Sequence, residues 1–197
     1  TDIKLENVTY NEKNMYLIDF GRCIICKNKK TIPTKITLFK LDYNTLVSTI
    51  LFNNSFGDYR TLYKKLDVAF IVKKLQENNN TKNTELLYTI LEDVFSTDKM
   101  TTKRHDLLII IATMIYDATR QFNLSDLNVR TKYFHNIFRP NVDIWGVLVI
   151  YYDLINSILI ENNINTLKLK HKIKNIMKNF ISNSFTKPLN HDTFINE

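Results

Sequence analysis

The sequence predicts a mainly α-helical domain that begins with a short β-hairpin. Only 3 Gly and 3 Pro occur among 197 residues, which leaves few of the turns that a many-stranded sheet protein needs. Apolar residues recur at helical spacing over most of the chain after residue 58, and 44% hydrophobic residues are enough for one substantial core. Because no internal repeat or linker interrupts the pattern, we expect a single domain over residues 1–197.

The N-terminal part of the chain divides into a hairpin and a segment of mixed pattern. Residues 8–18 indicate two short strands around a turn from Asn11 to Asn14. Residues 22–52 contain β-prone or mixed runs at 36–39 and 46–50, separated by lysines, and favour no single element.

Helices account for the remainder of the prediction. Apolar stripes of helical period cover about residues 58–77, 84–95, 102–122, 125–138, 147–160 and 165–181, and a short final helix begins at Asp192. Ser125 is the candidate N-cap of the helix over 125–138, and Arg139-Pro140 is expected to end it. The helix over 102–122 is apolar on most sides and is therefore expected at the centre of the core.

Charge and composition limit the classes of partner. The net charge is +7, with lysines concentrated in residues 27–40 and 168–178. These clusters indicate solvated faces, or docking of an acidic protein substrate or of nucleic acid, of which nucleic acid is not favoured. The abundance of Asn, Ile and Lys is typical of an AT-rich genome, such as that of a large DNA virus or a eukaryotic parasite.

Membrane insertion and metal-binding cysteines are not expected. The longest apolar stretch, Leu107 to Tyr116, has about half the length needed to cross a bilayer. Cys23 and Cys26 form a single C-x-x-C, and a zinc site would need further ligands that the spacing of the histidines does not provide. We interpret them as ordinary intracellular thiols and expect a cytoplasmic protein.

Two polar motifs flank the predicted hairpin. Asp2, Lys4 and Asn7 form the pattern D-x-K-x-x-N. Asp19-Phe20-Gly21 follows, with Asp19 placed 12 residues after Asn7. Mg²⁺ prefers hard oxygen ligands and shares them with phosphates, and the Asp19 carboxylate and the Asn7 carbonyl are such ligands. Lys4 would neutralise a transferred phosphoryl group, and Asp2 would accept the proton of an attacking hydroxyl.

These motifs resemble the catalytic loop and the metal-binding loop of the protein kinases. The resemblance implies that Asp2 is the catalytic base and that Lys4 contacts phosphate, at the spacing found in serine/threonine kinases. It also implies that Asn7 and Asp19 hold Mg²⁺ for ATP, and that Gly21 permits the turn that aims Asp19.

A second motif, at residues 141–146, resembles the start of the central helix of the kinase C-terminal lobe. The resemblance implies that the Asp143 carboxylate is buried and anchors the backbone near Asp2, while Trp145 buries the helix start. Asp67 is an alternative anchor, because its distance from Gly21 is closer to the family's habit. With Asp143 as the anchor, the long intervening stretch implies a helical insertion over about residues 58–122.

The resemblance therefore implies the C-terminal lobe of an ATP- and Mg²⁺-dependent serine/threonine protein kinase. The Gly-rich loop and strand lysine of a kinase would precede Thr1, on an N-terminal lobe supplied by upstream sequence or by another chain. The expected partner is a protein substrate that lies along residues 22–52. The alternative is a catalytically inactive pseudokinase or binding scaffold that uses its basic helical surface.

Overall fold

The computed structural model describes residues 7–11, 14–17, 30–38, 41–53, 66–77, 81–97, 100–158 and 164–189. The architecture of these residues is mainly helical, as the sequence predicts. The predicted final helix from Asp192 and the segment 54–65 lie outside the described residues.

The predicted hairpin is confirmed. Strands β1 (Val8–Tyr10) and β2 (Met15–Leu17) pair in antiparallel fashion, with Val8 opposite Leu17 and Tyr10 opposite Met15. Asn11 and Asn14 close the turn, since the Asn11 amide donates to the Asn14 carbonyl at 3.0 Å. The Asn14 amide in turn donates to the Asn11 side-chain oxygen at 3.1 Å.

The β-prone runs after the hairpin form short helices instead of strands. Helix α1 spans Thr34–Thr37, and a 3₁₀ helix spans Val47–Phe52. All six residues of the 3₁₀ helix are buried, and bonds within the turn satisfy its backbone, such as that from the Thr49 amide to the Leu46 carbonyl at 2.9 Å. A buried strand would need a neighbouring strand for these groups, whereas a 3₁₀ turn satisfies them locally.

Six longer helices follow. They are α2 (Val68–Glu77), α3 (Lys82–Phe95), α4 (Arg104–Gln121), α5 (Leu127–Tyr133), α6 (Arg139–Ile158) and α7 (Ile164–Ser184). The first begins at Val68, ten residues later than predicted, and the fifth begins at Arg139, before the run predicted from residue 147. Helix α4 packs against both α2 and α3, while α7 packs against α3 and α6. Buried residues from all six helices and from the 3₁₀ helix belong to one continuous core.

The expected helix end at Arg139-Pro140 is wrong, because a π turn at Phe134–Phe138 joins α5 directly to α6. Proline has no N–H to donate to the carbonyl four residues before it, and its ring crowds that carbonyl. The wider turn accommodates Pro140: the Arg139 amide donates to the Phe134 carbonyl, five residues back. The Phe52 ring packs on this turn, 4.8 Å from the Phe138 ring and 5.3 Å from the Phe134 ring, centroid to centroid.

Candidate functional site

The open end of the hairpin carries the first predicted site residue. Asn7 lies immediately before β1 and is buried, with 4% of its surface exposed. Because Val8 pairs with Leu17, the start of β1 and the end of β2 lie at the same end of the ladder. Asp19 is two residues after Leu17 in the sequence, and two peptide units span about 7 Å at most. The hairpin therefore brings the chain that leads to Asp19 back to the end where Asn7 is buried.

The other members of the predicted catalytic set, Asp2, Lys4, Asp19 and Gly21, lie outside the described residues. Their convergence with Asn7 stays a prediction. Within the described ranges, no three His, Cys, Asp or Glu side chains gather as a metal site would require. The predicted Mg²⁺ site is a different case, because one of its ligands is the amide of Asn7 and the other, the Asp19 carboxylate, lies outside those ranges.

Three contacts fix the segment that follows Asp19-Phe20-Gly21, described at residues 30–38 and 41–53, to the helices. The Thr84 hydroxyl at the start of α3 donates to the Leu41 carbonyl at 3.0 Å, and the Trp145 indole N–H donates to the Tyr43 carbonyl at 3.2 Å. His135, in the π turn, lies with Nε2 at 3.1 Å from the Thr31 carbonyl. A carbonyl oxygen only accepts, so this nitrogen carries the proton.

Two residues of the motif at 141–146 were assigned roles, Asp143 and Trp145, and they differ in burial. Trp145 is 1% exposed and holds Tyr43, in keeping with its expected place at a buried helix start. The expected burial of the Asp143 carboxylate is wrong, because this side chain is exposed. Each helical residue turns by about 100°, so a residue two positions before the buried Trp145 faces the other way. The residues near Asp2 that Asp143 was expected to anchor lie outside the described ranges.

Asn141 was not singled out from the sequence, yet it is the fully buried polar residue of this motif. Its Nδ2 donates to the Ser184 carbonyl at 3.1 Å and to the Lys187 carbonyl at 2.8 Å. Its Oδ1 accepts from the Leu189 amide at 2.8 Å. The side chain thus ties the start of α6 to the chain that leaves α7. Its spacing of four residues from Trp145 places it on the same helix face and was the available signal.

The alternative anchor Asp67 is exposed and has a local role. Its Oδ1 accepts from the Phe70 amide at 2.7 Å, and its carbonyl accepts from the Ile71 amide at 3.1 Å. These contacts make Asp67 the N-cap of α2.

A cluster of three side chains, also absent from the sequence predictions, links α3, α6 and α7. The Asp93 carboxylate accepts from the Tyr152 hydroxyl at 2.7 Å and from Lys174 Nζ at 3.0 Å. Burial opposes ionisation of Asp93, but these two hydrogen bonds and the lysine charge outweigh it and lower its pKa. Asp93 therefore stays ionised and fixes the position of Lys174.

The Asp93 cluster lies on the wall of a groove between the C-terminal end of α3 and the exposed side of α7. Two adjoining depressions of about 550 and 380 Å³ make up this groove, and they share His171 and Lys174. Further lysines along α7 line it, together with Ile164 and Leu167 at the start of that helix. We refer to it as the α7 groove.

Comparisons with known proteins leave the family open. No family model, no curated protein and no solved structure matches this chain. Within the described residues, no helix combines the length and the apolar character that crossing a bilayer requires.

Proposed function

We propose that this chain is the C-terminal lobe of a serine/threonine protein kinase that uses ATP and Mg²⁺ in the cytoplasm. Asp2 is the base that accepts the proton of the substrate hydroxyl, and Lys4 neutralises the transferred phosphoryl group. Asn7 and Asp19 are the metal ligands, and their amide and carboxylate oxygens suit Mg²⁺. When bound, Mg²⁺ and ATP would supply the phosphoryl group and neutralise its charge.

The hairpin between the two motifs carries this proposal. A shared metal site requires the chain to reverse between Asn7 and Asp19, because residues 12 apart in an extended chain are about 40 Å from one another. The antiparallel pairing of β1 and β2 supplies this reversal, and the burial of Asn7 removes its amide from bulk water. Since helices dominate the rest of the described chain, the hairpin is a local feature that serves the two motifs which flank it.

The contacts of residues 30–53 support the same proposal. A kinase needs the segment after its metal-binding loop to be held in place, because a peptide substrate lies along it. Here Trp145 and Thr84 bond the backbone of Tyr43 and Leu41, and the buried 3₁₀ helix at Val47–Phe52 fixes the end of the segment in the core.

Manganese, a paramagnetic stand-in for Mg²⁺, tests the metal site directly. Titrated into ¹⁵N-labelled protein, Mn²⁺ is expected to broaden the amide signals of Val8 and Leu17 more than those of Asn11 and Asn14, at the turn end. Asp19→Asn should abolish this difference, and Asp117→Asn, an equal charge change on the exposed face of α4, should keep it. Equal broadening at both ends of the hairpin, or persistence in Asp19→Asn, would refute the shared site.

The alternative, an inactive pseudokinase or scaffold, is favoured by one observation, the α7 groove, which needs no catalytic residue. Phosphoryl transfer distinguishes the two functions. In a polypeptide that also carries a Gly-rich loop and strand lysine, Asp2→Asn should abolish transfer from ATP to a protein acceptor if the chain is an enzyme. A polypeptide that shows no transfer and yet binds a protein through the groove would favour the scaffold.

A further inference from the structure

We propose that the α7 groove is a docking site for an acidic protein segment that also carries aliphatic side chains. This inference does not depend on the kinase proposal, because it is argued from described residues of α3 and α7, none of which is assigned a catalytic role.

The positive charge of the groove favours a partner with negative charge. Among the described residues that line the groove, four are lysines and one, Asp93, is acidic, so these residues carry a net charge of +3 with histidine neutral. The lysines are Lys168, Lys170, Lys174 and Lys178. Asp93 does not repel an acidic partner strongly, because Tyr152 and Lys174 already bond its carboxylate. An acidic segment therefore meets an excess of positive charge along the whole groove.

The positions of the lining residues on α7 match an elongated partner. Seven of the eight described lining residues on α7 recur every three or four positions and form one stripe: 164, 167, 168, 171, 174, 175 and 178. The eighth, Lys170, lies beside this stripe. At 1.5 Å per residue, this stripe is about 21 Å long. Residues of α3 hold two lysines of the stripe in position. The Asp93 carboxylate bonds Lys174, and Lys178 Nζ lies 5.7 Å from the centroid of the Phe95 ring. An acidic partner thus finds cations that are already held in place.

Aliphatic side chains distinguish a protein partner from nucleic acid. Ile164 and Leu167 line the first part of the groove and are 69% and 50% exposed. A nucleic acid backbone would leave these side chains uncovered, whereas leucine-like residues of a peptide would bury them. The described residues that line the groove include no arginine, phenylalanine, tyrosine or tryptophan, so the His171 imidazole is the one ring among them on which a base could stack.

Fluorescence anisotropy with three probes of equal length tests the proposal. The first is a labelled amphipathic peptide of glutamate and leucine, the second has serine in place of each leucine, and the third is single-stranded oligothymidylate. We expect the glutamate–leucine peptide to bind at least about tenfold more tightly than either of the others, a difference of about 1.4 kcal/mol. Its affinity should fall as salt is raised, since exposed charges are screened.

Variants with matched charge assign the binding to the groove. Lys168→Glu with Lys170→Glu should weaken the glutamate–leucine peptide at least about tenfold. Lys82→Glu with Lys132→Glu is the same charge change at exposed sites at the start of α3 and on α5, neither of which lines the groove, and it should leave binding within about twofold. Ile164→Ser with Leu167→Ser should weaken the same peptide several-fold and bring it close to the serine peptide.

Three results would overturn the proposal. The first is that oligothymidylate binds as tightly as the glutamate–leucine peptide and that the Lys168 and Lys170 double variant loses this binding. That result would identify a nucleic-acid site. The second is equal weakening by the off-groove double variant, which identifies attraction to net charge alone. The third is equal binding of the serine and leucine peptides, which shows that Ile164 and Leu167 take no part. Circular dichroism of each variant establishes that the helices are intact.

Discussion

At the scale of single residues, helix phase decides which polar side chain of the second motif is structural. Asn141 and Trp145 are four positions apart and share the buried face, whereas Asp143 lies between them on the exposed side. Burying a neutral amide with all its hydrogen bonds made costs far less than burying a carboxylate. The sequence predicted the helix and the burial of Trp145. The resemblance predicted that Asp143 is the buried polar residue of the motif, whereas the buried polar residue is Asn141.

Replacing Asn141 should therefore destabilise the protein more than replacing Asp143. Asn141→Ala removes three hydrogen bonds and leaves the Ser184 and Lys187 carbonyls and the Leu189 amide to find other partners. We expect a loss of about 1–3 kcal/mol in the free energy of unfolding, measured in urea, and faster hydrogen exchange at the Leu189 amide. Asp143→Ala, at an exposed position, should change it by about 0.5 kcal/mol or less. A larger loss for Asp143→Ala would restore its role as an anchor.

The Asp93 cluster should make stability depend on pH in a defined direction. Tyr152→Phe removes the hydroxyl that donates to Asp93 and should lower the free energy of unfolding at pH 7 by about 0.5–1.5 kcal/mol. Because the pKa of Asp93 is lowered in the folded protein, the contribution of the ionised carboxylate is complete above the unfolded pKa of about 3.9. It is lost as the pH falls through the lower, folded pKa.

The difference between wild type and Tyr152→Phe should accordingly shrink below about pH 4. Urea unfolding at a series of pH values measures this difference. Tyr151→Phe is the matched control, since that neighbouring ring is 48% exposed, and it should have little effect at any pH. A difference for Tyr152→Phe that stays constant down to pH 3 would show that its bond to Asp93 contributes nothing through the carboxylate charge.

At the scale of the elements, packing and backbone chemistry decide the structure at two places where local propensity does not. The run from Val47 to Phe52 is rich in β-formers, yet burial of all six side chains and the absence of a described strand beside it lead to a 3₁₀ helix. Pro140 alone predicts a helix end, but a π turn before it keeps α5 and α6 in one continuous run. The two elements contact each other in the core, where the Phe52 ring packs against the turn at Phe134 and Phe138. Such long-range packing is not apparent from the local sequence.

The start of α5 tests which of two neighbouring residues, Ser125 or Asp126, is the N-cap. The sequence favoured Ser125 as the N-cap, but Asp126 occupies that position, and its Oδ1 accepts from the amides of Asn128 at 2.7 Å and Val129 at 3.1 Å. The Ser125 hydroxyl instead contacts the Asn123 side chain at 2.6 Å. Asp126→Ala should cost about 0.5–2 kcal/mol of stability in thermal or urea unfolding, and Ser125→Ala clearly less. Equal costs, or a larger one at Ser125, would contradict the observed cap.

At the scale of the whole molecule, periodicity predicted more than the motifs did. The apolar stripes predicted where each helix lies, because each helix must bury a continuous face in the shared core, although α2 begins ten residues later than predicted and α6 begins before the predicted run. The Asp93 cluster and the α7 groove were beyond reach, since each joins residues of helices far apart in sequence, and periodicity gives no information on which helices meet. Of the proposed catalytic set, the hairpin and the buried Asn7 are described, while the positions of Asp2, Lys4, Asp19 and Gly21 stay predictions.

Nucleotide binding by the 197 residues alone provides the last test of the kinase interpretation. Their three glycines, at positions 21, 57 and 146, do not form a Gly-rich phosphate-covering loop. In a kinase, that loop and a strand lysine supply much of the positioning on which ATP binding and phosphoryl transfer depend. Calorimetry with Mg²⁺ and ATP should therefore give a dissociation constant of about 1 mM or weaker, equivalent to about −4 kcal/mol, and a kinase assay should detect no phosphoryl transfer.

A polypeptide that also contains a Gly-rich lobe should bind ATP at least about tenfold more tightly, and Asp19→Asn should remove that gain. Micromolar binding by residues 1–197 would mean that the nucleotide occupies a site other than the one proposed.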